Sequence, residues 1–256
     1  MNNFLKKIIN PLIIKIGKKI EMNKFTRDPI LIIACPRSGT TLLLSILSAH
    51  PHILTIKRQT YAFDKWAQNK KNEFKPIRLD RLYRELILHK IPRASKRWCE
   101  KTPKHIESID KIISAFPNYK IIHIIRDGRD VVTSKHPKHQ PDRYWVSVNR
   151  WVKDVSKGLV YSNYKNMYTM KYENLIGNYH HEIKKLLTFL GEEYRVEIKN
   201  WYNNTNLTNS KHLKSKIQKL HSNSIGRWKK KEHHNIINQF MKNEKAVNLL
   251  QKLKYL

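Results

Sequence analysis

A chain of 256 residues is long enough to bury a sizeable core and reads as one α/β domain, with two smaller ones as the alternative. Lys and Arg total 51 against 20 Asp and Glu, a formal charge of +31 that favours anionic partners: a nucleotide, an acidic glycan, nucleic acid or an anionic membrane surface. Lys, Asn and Ile are all abundant, so part of that charge reads as composition bias and does not single out a partner. Two cysteines, Cys35 and Cys99, give no disulfide framework and no CxxC pair, which fits a reducing compartment; a bridge between the two stays open. No Cys/His spacing resembles a zinc site, since His180-His181 and His233-His234 are adjacent pairs without a partner cluster.

Residues 1–24 read as a basic amphipathic segment. Phe4, Leu5, Ile8, Ile9, Leu12, Ile13, Ile16 and Ile20 recur at helical spacing, and Lys6, Lys7, Lys15, Lys18 and Lys19 occupy much of the rest. Pro11 predicts a kink or a break. Lys15 interrupts the apolar stretch and no small-residue cleavage site follows, so this is not a secretory signal. It is too charged to span a bilayer. It reads either as an interfacial helix on anionic lipid or as a helix docked on the core of a single domain over residues 25–256. The expected location is the cytoplasm, with contact at the inner membrane surface through residues 1–24.

Ile30 to Cys35 is an isoleucine-rich run too short for a typical helix and reads as a buried strand. The turn Pro36-Arg37-Ser38-Gly39-Thr40-Thr41 follows. Leu42, Leu43, Leu44, Ile46 and Leu47 then continue as a helix that stops before Pro51. A strand, a Gly-containing turn and a helix N-terminus make an anion site, because unpaired N–H groups and the positive end of the helix dipole face the turn. Arg37 adds charge, and Ser38, Thr40 and Thr41 add hydroxyl donors. This is not a Walker A loop: Thr40, not Lys, stands between Gly39 and Thr41.

Further along, Ile53 to Ile56 predicts a short strand, and Tyr61 to Gln68 and Leu79 to His89 predict helices. Arg97 to Glu100 is a short extended piece leading into Lys101-Thr102-Pro103, followed by a helix from about Lys104 to Phe116 that Pro117 ends. Tyr119 to Ile125 is a second buried strand. It ends in Arg126-Asp127-Gly128-Arg129-Asp130, and a helix begins at Val131, repeating the pattern of strand, tight turn and helix. Ligands of open α/β sheets bind beyond the carboxyl ends of the strands, which puts Arg126 near the first loop if the two strands are neighbours, with Ser134 on the same side. Arg143 to Tyr164 predicts a long helix, Met167 to Tyr172 a third apolar run ending in Glu173-Asn174-Leu175, and Ile183 to Leu190 a helix capped by Gly191. Residues 199–225, rich in Asn, Ser, Thr and Lys, predict a long loop, and a last helix runs from about His233 to the end. The fold class is α/β, a P-loop-type three-layer arrangement with a central, mostly parallel sheet flanked by helices.

Taken together, these motifs resemble the sulfotransferases that use 3′-phosphoadenosine 5′-phosphosulfate (PAPS). Pro36 to Thr41 is similar to that family's loop for the 5′-phosphosulfate. The stretch from Ile124 to Val132, with Arg126 and on to Ser134, resembles its 3′-phosphate site. Met170-Lys171-Tyr172-Glu173-Asn174-Leu175 resembles a segment whose Tyr approaches the nucleotide, and Gly226-Arg227-Trp228-Lys229 resembles the late basic-Trp segment that closes over it. The matches fall in the family's order over residues 29–229. Glu100-Lys101-Thr102-Pro103 resembles the EKTP-like segment of carbohydrate sulfotransferases, which implies Glu100 as the base that deprotonates the acceptor. The acidic residue that tyrosine-specific relatives carry after the first loop is absent from Lys57-Arg58-Gln59-Thr60. His105, His136 and His139 match no motif and read as surface histidines.

The resemblance implies sulfuryl transfer from PAPS to an acceptor hydroxyl, on a polysaccharide or glycolipid. Glu100 takes the proton, Arg37 with the N–H groups of Ser38 to Thr41 stabilises the leaving oxygens, and Arg126 and Ser134 hold the 3′-phosphate, with Tyr172, Arg227 and Trp228 around the nucleotide. No dedicated metal is required, because a sulfuryl group carries less charge than a phosphoryl group. Trp66, Trp98, Trp145 and Trp151 either line a sugar cleft or belong to the core. Two competing readings are a P-loop kinase or NTPase, which needs a loop Lys and a Walker B-like Asp, and a basic nucleic-acid-binding protein, which needs a concentrated basic stripe; the Lys residues here are dispersed.

Overall fold

The computed structural model describes residues 3–64, 67–68, 74–135, 143–207, 220 and 222–256. The chain opens with α1 (Asn3–Lys24), then β1 (Ile30–Ile33), α2 (Thr40–Leu47), β2 (Ile53–Thr55), β3 (Ala67–Gln68), β4 (Phe74–Lys75), α3 (Leu79–Leu88) and β5 (Arg97–Lys101). A 3-10 turn over Pro103–Ser108 leads to α4 (Ile109–Ala115), β6 (Lys120–Ile125), α5 (Gly128–Val132), α6 (Val148–Val160), β7 (Met167–Lys171), α7 (Tyr172–Gly177) and α8 (Tyr179–Leu190). Two short helices, α9 (Val196–Lys199) and α10 (Trp201–Asn204), follow; the C-terminal part holds α11 (His234–Met241) and α12 (Glu244–Lys252).

The main sheet has the order β2-β5-β1-β6-β7, and every pairing in it is parallel. A parallel sheet is buried on both faces, which explains strands such as Ile-Leu-Ile-Ile with no polar alternation. Ile30 and Ile32 face a core shared with Leu43, Leu44 and Leu47 of α2 and Ile183, Leu186 and Leu190 of α8. Leu31 and Ile33 face the opposite core, with Leu82 and Leu86 of α3 and Ile109 and Ile112 of α4. Each such fully buried side chain contributes about 1.5–3 kcal/mol. A third cluster, around Trp151, Phe240 and Leu250, gathers α5, α6, α11 and α12.

Helix α1 is continuous through Pro11. It lies against α3, where a Cβ on Gly17 would sit 2.2 Å from Tyr83 Cβ. Glu21 accepts hydrogen bonds from Tyr83 Oη and Trp98 Nε1, each 2.7 Å long. Docking on the core is therefore a fact of this helix. Its outer face leaves Ile8, Leu12, Ile16 and Met22 exposed beside exposed Lys15, Lys18 and Lys19. Among the described residues no helix is long and apolar enough to cross a membrane. Cys35 and Cys99 are both buried free thiols.

Several elements differ from the sequence expectation. The helix expected over Tyr61 to Gln68 is replaced by a turn and a two-stranded antiparallel ribbon of β3 and β4. The helix expected from Arg143 begins only at Val148, because Ser147 caps it by accepting from Arg150 N; Trp145 before it is 45% exposed. The loop expected from 199 onward starts as helix, since Trp201 is buried in the core and pins α10. The last helix is two, divided where Asn243 caps α12 by accepting from Ala246 N. Trp98 and Trp151 are core residues at 0% exposure; Trp66 lies outside the described residues.

Candidate active site

The loop between β1 and α2 is held in an unusual backbone conformation. Arg37 has φ 74° and Gly39 has φ 92°, the left-handed region that disfavours side chains. At Gly39 there is a second constraint: a Cβ would lie 2.3 Å from Tyr172 Cδ2, so the tyrosine ring closes directly over the loop. The loop is tied to the end of β5 by Ala34 N donating to Pro103 O at 3.3 Å. Ser38 is completely buried, yet its Oγ has no hydrogen-bond partner among the described residues. Arg37 is exposed and Thr40 is buried at the N-terminus of α2.

Because β1 and β6 are neighbours, the residue that leaves β6 arrives beside this loop. Arg126 Nη1 donates to Arg37 O at 3.1 Å, Nη2 donates to Ser224 O, and the guanidinium lies 4.6 Å from the centroid of the Tyr172 ring. Tyr172 Oη in turn pairs with Ser224 Oγ at 2.7 Å. Ser134 follows α5 rather than riding on a longer helix; its Oγ donates to Asp130 O at 2.8 Å and accepts from Arg227 Nη2. Asp130 fastens the late segment, accepting from Gly226 N at 2.8 Å and Trp228 N at 3.1 Å, while Arg129 stacks on the Trp228 ring at 4.1 Å. Arg37, Arg126, Ser134, Tyr172, Arg227 and Trp228, read from four separate segments, therefore meet at one end of the sheet. Loss of hydration and the Arg126 charge both push the Arg37 pKa down; the same two causes, with Asp130 opposing, lower Arg227. Arg126 Nε and Arg227 Nε are buried without partners among the described residues. Three guanidiniums and orphaned donors around a left-handed turn fit phosphate groups.

Glu100 sits on the other side of the loop and is fully buried. Its Oε1 accepts from Thr60 N at 3.0 Å, Thr60 Oγ1 at 3.1 Å and Thr102 Oγ1. Its Oε2 faces His105 Nδ1 at 3.3 Å. Burial alone raises a carboxyl pKa, but His105, Thr102 and Thr60 outweigh it and hold Glu100 below the usual carboxylate value. His105 is thus not a surface histidine. The 3-10 turn after Pro103 folds it back under Glu100, where its Nε2 accepts from Phe63 N at 3.3 Å. His136 and His139 lie outside the described residues.

Lys101 is the residue that motif reading passed over. Neighbours on a strand point to opposite faces, so Lys101 does not pair with Glu100; it shares the face of Cys99, toward α2. It is 4% exposed, and burial pushes its pKa down to about 8 against the pull of Glu100. The signal was there in the strand period of two. Tyr255 had no signal at all: its Oη donates at 2.7 Å to Glu173, whose other oxygen accepts from Asp127 N at 3.0 Å, so the C-terminal end braces the Arg126 turn. Among the described residues, His50, His52 and Glu192 bring three metal-ligating groups within 4.8 Å of one another, a convergence that spacing does not reveal. Glu192 there already pairs with Arg27 at 2.6 Å and Arg97 at 3.2 Å.

Comparison with known proteins agrees with this layout. The structure superposes on the sulfotransferase domain from the curacin biosynthetic pathway with a TM-score of 0.56 at 15% identity, covering 91% of this chain and 99% of that one. It superposes on mouse sulfotransferase SULT7A1 complexed with PAP with a TM-score of 0.52 at 17% identity, covering 92% of each. Mouse protein-tyrosine sulfotransferase 1 is 30% identical over 147 residues, 47% of this chain and 38% of the mouse protein. The chain spans well under half the length of the curated relatives it first matches. The model of the sulfotransferase family matches residues 29–195, from the strand before the loop through β7 and α8. With the loop, the Arg126 turn and the Tyr172 segment all inside that match, the chain belongs to the sulfotransferase family.

Proposed function

We propose that this chain transfers a sulfuryl group from PAPS to an acceptor hydroxyl. The observation that carries the reading is the convergence of Arg37, Arg126 and Arg227 with the buried donors Ser38 Oγ, Arg126 Nε and Arg227 Nε, which have no partner among the described residues. These residues fit a nucleotide with two separate anionic ends: the β1 loop suits the 5′-phosphosulfate, and Arg126, Ser134 and Arg227 suit the 3′-phosphate. The mouse neighbour complexed with PAP supports this reading. When bound, PAPS supplies the sulfuryl group and a leaving phosphate. Arg37, the N–H groups of Ser38 to Thr41 and Lys101 stabilise charge at that end of the site, while Tyr172 and Trp228 flank the nucleotide. Preorganised donors of this kind are worth roughly 3–4 kcal/mol each in a transition state.

Glu100 is the proposed base. Its carboxylate has no exposed surface, so the proton reaches it through Thr60: the acceptor hydroxyl gives its proton to Thr60 Oγ1, which gives its own to Glu100 Oε1. The proposed acceptor is a glycan or glycolipid, supported by the EKTP resemblance and by the lack of a carboxylate over Lys57 to Thr60. A tyrosyl-protein acceptor is the second reading, favoured by the names of the curated relatives. Cytoplasmic location with peripheral contact to anionic lipid through the outer face of α1 belongs to the same proposal, supported by its exposed Ile8, Leu12, Ile16 and neighbouring Lys residues. A transfer assay with labelled PAPS against polysaccharide, lipid extract and tyrosine peptides tests it. Label entering a glycan or glycolipid is expected; absence of transfer to any acceptor, together with absence of PAPS binding, overturns the function.

A further inference from the structure

The strand order leaves one direction of approach to the loop. Arg126, Ser134, Tyr172 and Arg227 crowd the β6–β7 side, so an acceptor comes from the β5–β2 side. There the chain leaving β2 is wrapped around the buried Glu100 group. Thr60 N donates to Glu100, Tyr61 N to Thr102 Oγ1 at 3.4 Å, Ala62 N to Thr60 Oγ1 at 3.2 Å and Phe63 N to His105 Nε2, with Tyr61 at φ 52°. Backbone donors face inward, and Lys57 and Arg58 face out. Lys57 and Arg58 form no ion pair with a described residue, and Glu100 is fully buried.

Lys57 also begins a groove of about 470 Å³ that runs along the edge strand β2. His50, His89, Lys90, Asn204 and Asn206 are among its lining residues, and no carboxylate is. The Nδ2 groups of Asn204 and Asn206 are bound to backbone carbonyls, which leaves their Oδ1 atoms to accept from hydroxyls. A volume of this size holds a small ligand segment. We propose that this groove is a subsite for an extended acidic polysaccharide, with Lys57 and Lys90 reading its carboxylates and the two asparagines its hydroxyls. The proposal rests on the sulfotransferase reading for its role, but not for its binding chemistry.

Two binding measurements separate the layers. A carboxylated oligosaccharide such as an oligogalacturonate, and its carboxyl-reduced counterpart, are titrated into the full chain, and PAP is titrated separately. The acidic sugar should bind at least tenfold tighter than the reduced one, and added salt should weaken the difference. The Lys57→Glu, Lys90→Glu double variant should lose at least tenfold for the acidic sugar while its PAP affinity and melting temperature stay as in the parent. Equal binding of the two sugars, or an unaffected double variant, overturns the groove. An acidic tyrosine peptide that binds as tightly and responds equally to the variant overturns the glycan assignment. Failure of PAP to bind while the acidic sugar still does would count against the nucleotide reading alone.

Discussion

The two halves of the site, on either side of β1, are built on opposite principles. Around the β1 loop and toward β6–β7, buried donors are left over: Arg126 and Arg227 each keep an unpartnered Nε among the described residues, and Ser38 Oγ is likewise unpaired. On the β5–β2 side a single buried anion, Glu100, gathers the neighbouring donors to itself. Unsatisfied buried donors cost about 1–3 kcal/mol each, a cost that an anionic ligand removes. The Glu100 carboxylate instead fixes a loop: Oε1 takes three donors, and Oε2, which has no hydrogen-bond partner among the described residues, faces His105. Under the proposed function the first half receives the phosphate groups, and the second is a scaffold that positions what meets the acceptor.

That contrast makes the two halves respond differently to mutation. The largest effect is expected from Arg37→Ala, at least a hundredfold loss of turnover in a steady-state assay with little change in melting temperature. Glu100→Gln should also lose at least a hundredfold, but with a clear drop in melting temperature, because the donors of Thr60 lose a charged acceptor worth roughly 1.5–3 kcal/mol. Its pH signature is distinct. The folded Glu100 pKa is depressed, so its stabilisation is present at neutral pH and is lost as pH falls below the ordinary carboxylate value of about 4.3. Acid unfolding curves of the Gln variant should lack that step. A Glu100→Gln chain with near-normal turnover would end the base assignment and leave only the scaffold.

Gly39→Ala probes the receptor half. The left-handed backbone costs a side chain about 1–2 kcal/mol, and the Tyr172 ring must also move. PAP affinity by calorimetry should fall about tenfold or more. Tyr255→Phe removes one hydrogen bond behind the Arg126 turn, worth about 1 kcal/mol, so a loss of no more than about fivefold in PAP affinity is expected. The smallest effect is a pH dependence. Lys101, pushed down to about 8, loses its charge as pH rises through that value, and PAP affinity should decline severalfold over the same interval. In Lys101→Met the decline should be absent; if it persists, the lysine does not face the nucleotide.

Local chemistry made the receptor half legible. A short Ile-rich strand, a Gly turn and a helix start can be read from consecutive residues, and the Arg126 turn repeats the pattern. Their meeting required only that β1 and β6 be neighbours, which they are. The scaffold half was harder to read. Glu100 was visible as a motif, but its burial depends on Thr60 and His105, which reach it across a turn and a 3-10 segment with weak periodicity. The ribbon of β3 and β4 was missed for a similar reason: two-residue strands leave no alternation to detect. Tyr255 and the Glu192 cluster arise from long-range contacts that no local pattern encodes.

The central claim is that the loop and the Arg126 turn together hold a nucleotide with a 3′-phosphate. Calorimetric titration of PAP, with ATP as control, into the parent chain and Arg126→Ala tests it most directly. PAP should bind well and ATP poorly, and Arg126→Ala should lose at least tenfold for PAP without a fall in melting temperature. PAP affinity that is absent in the parent, or indifferent to Arg126, would contradict it.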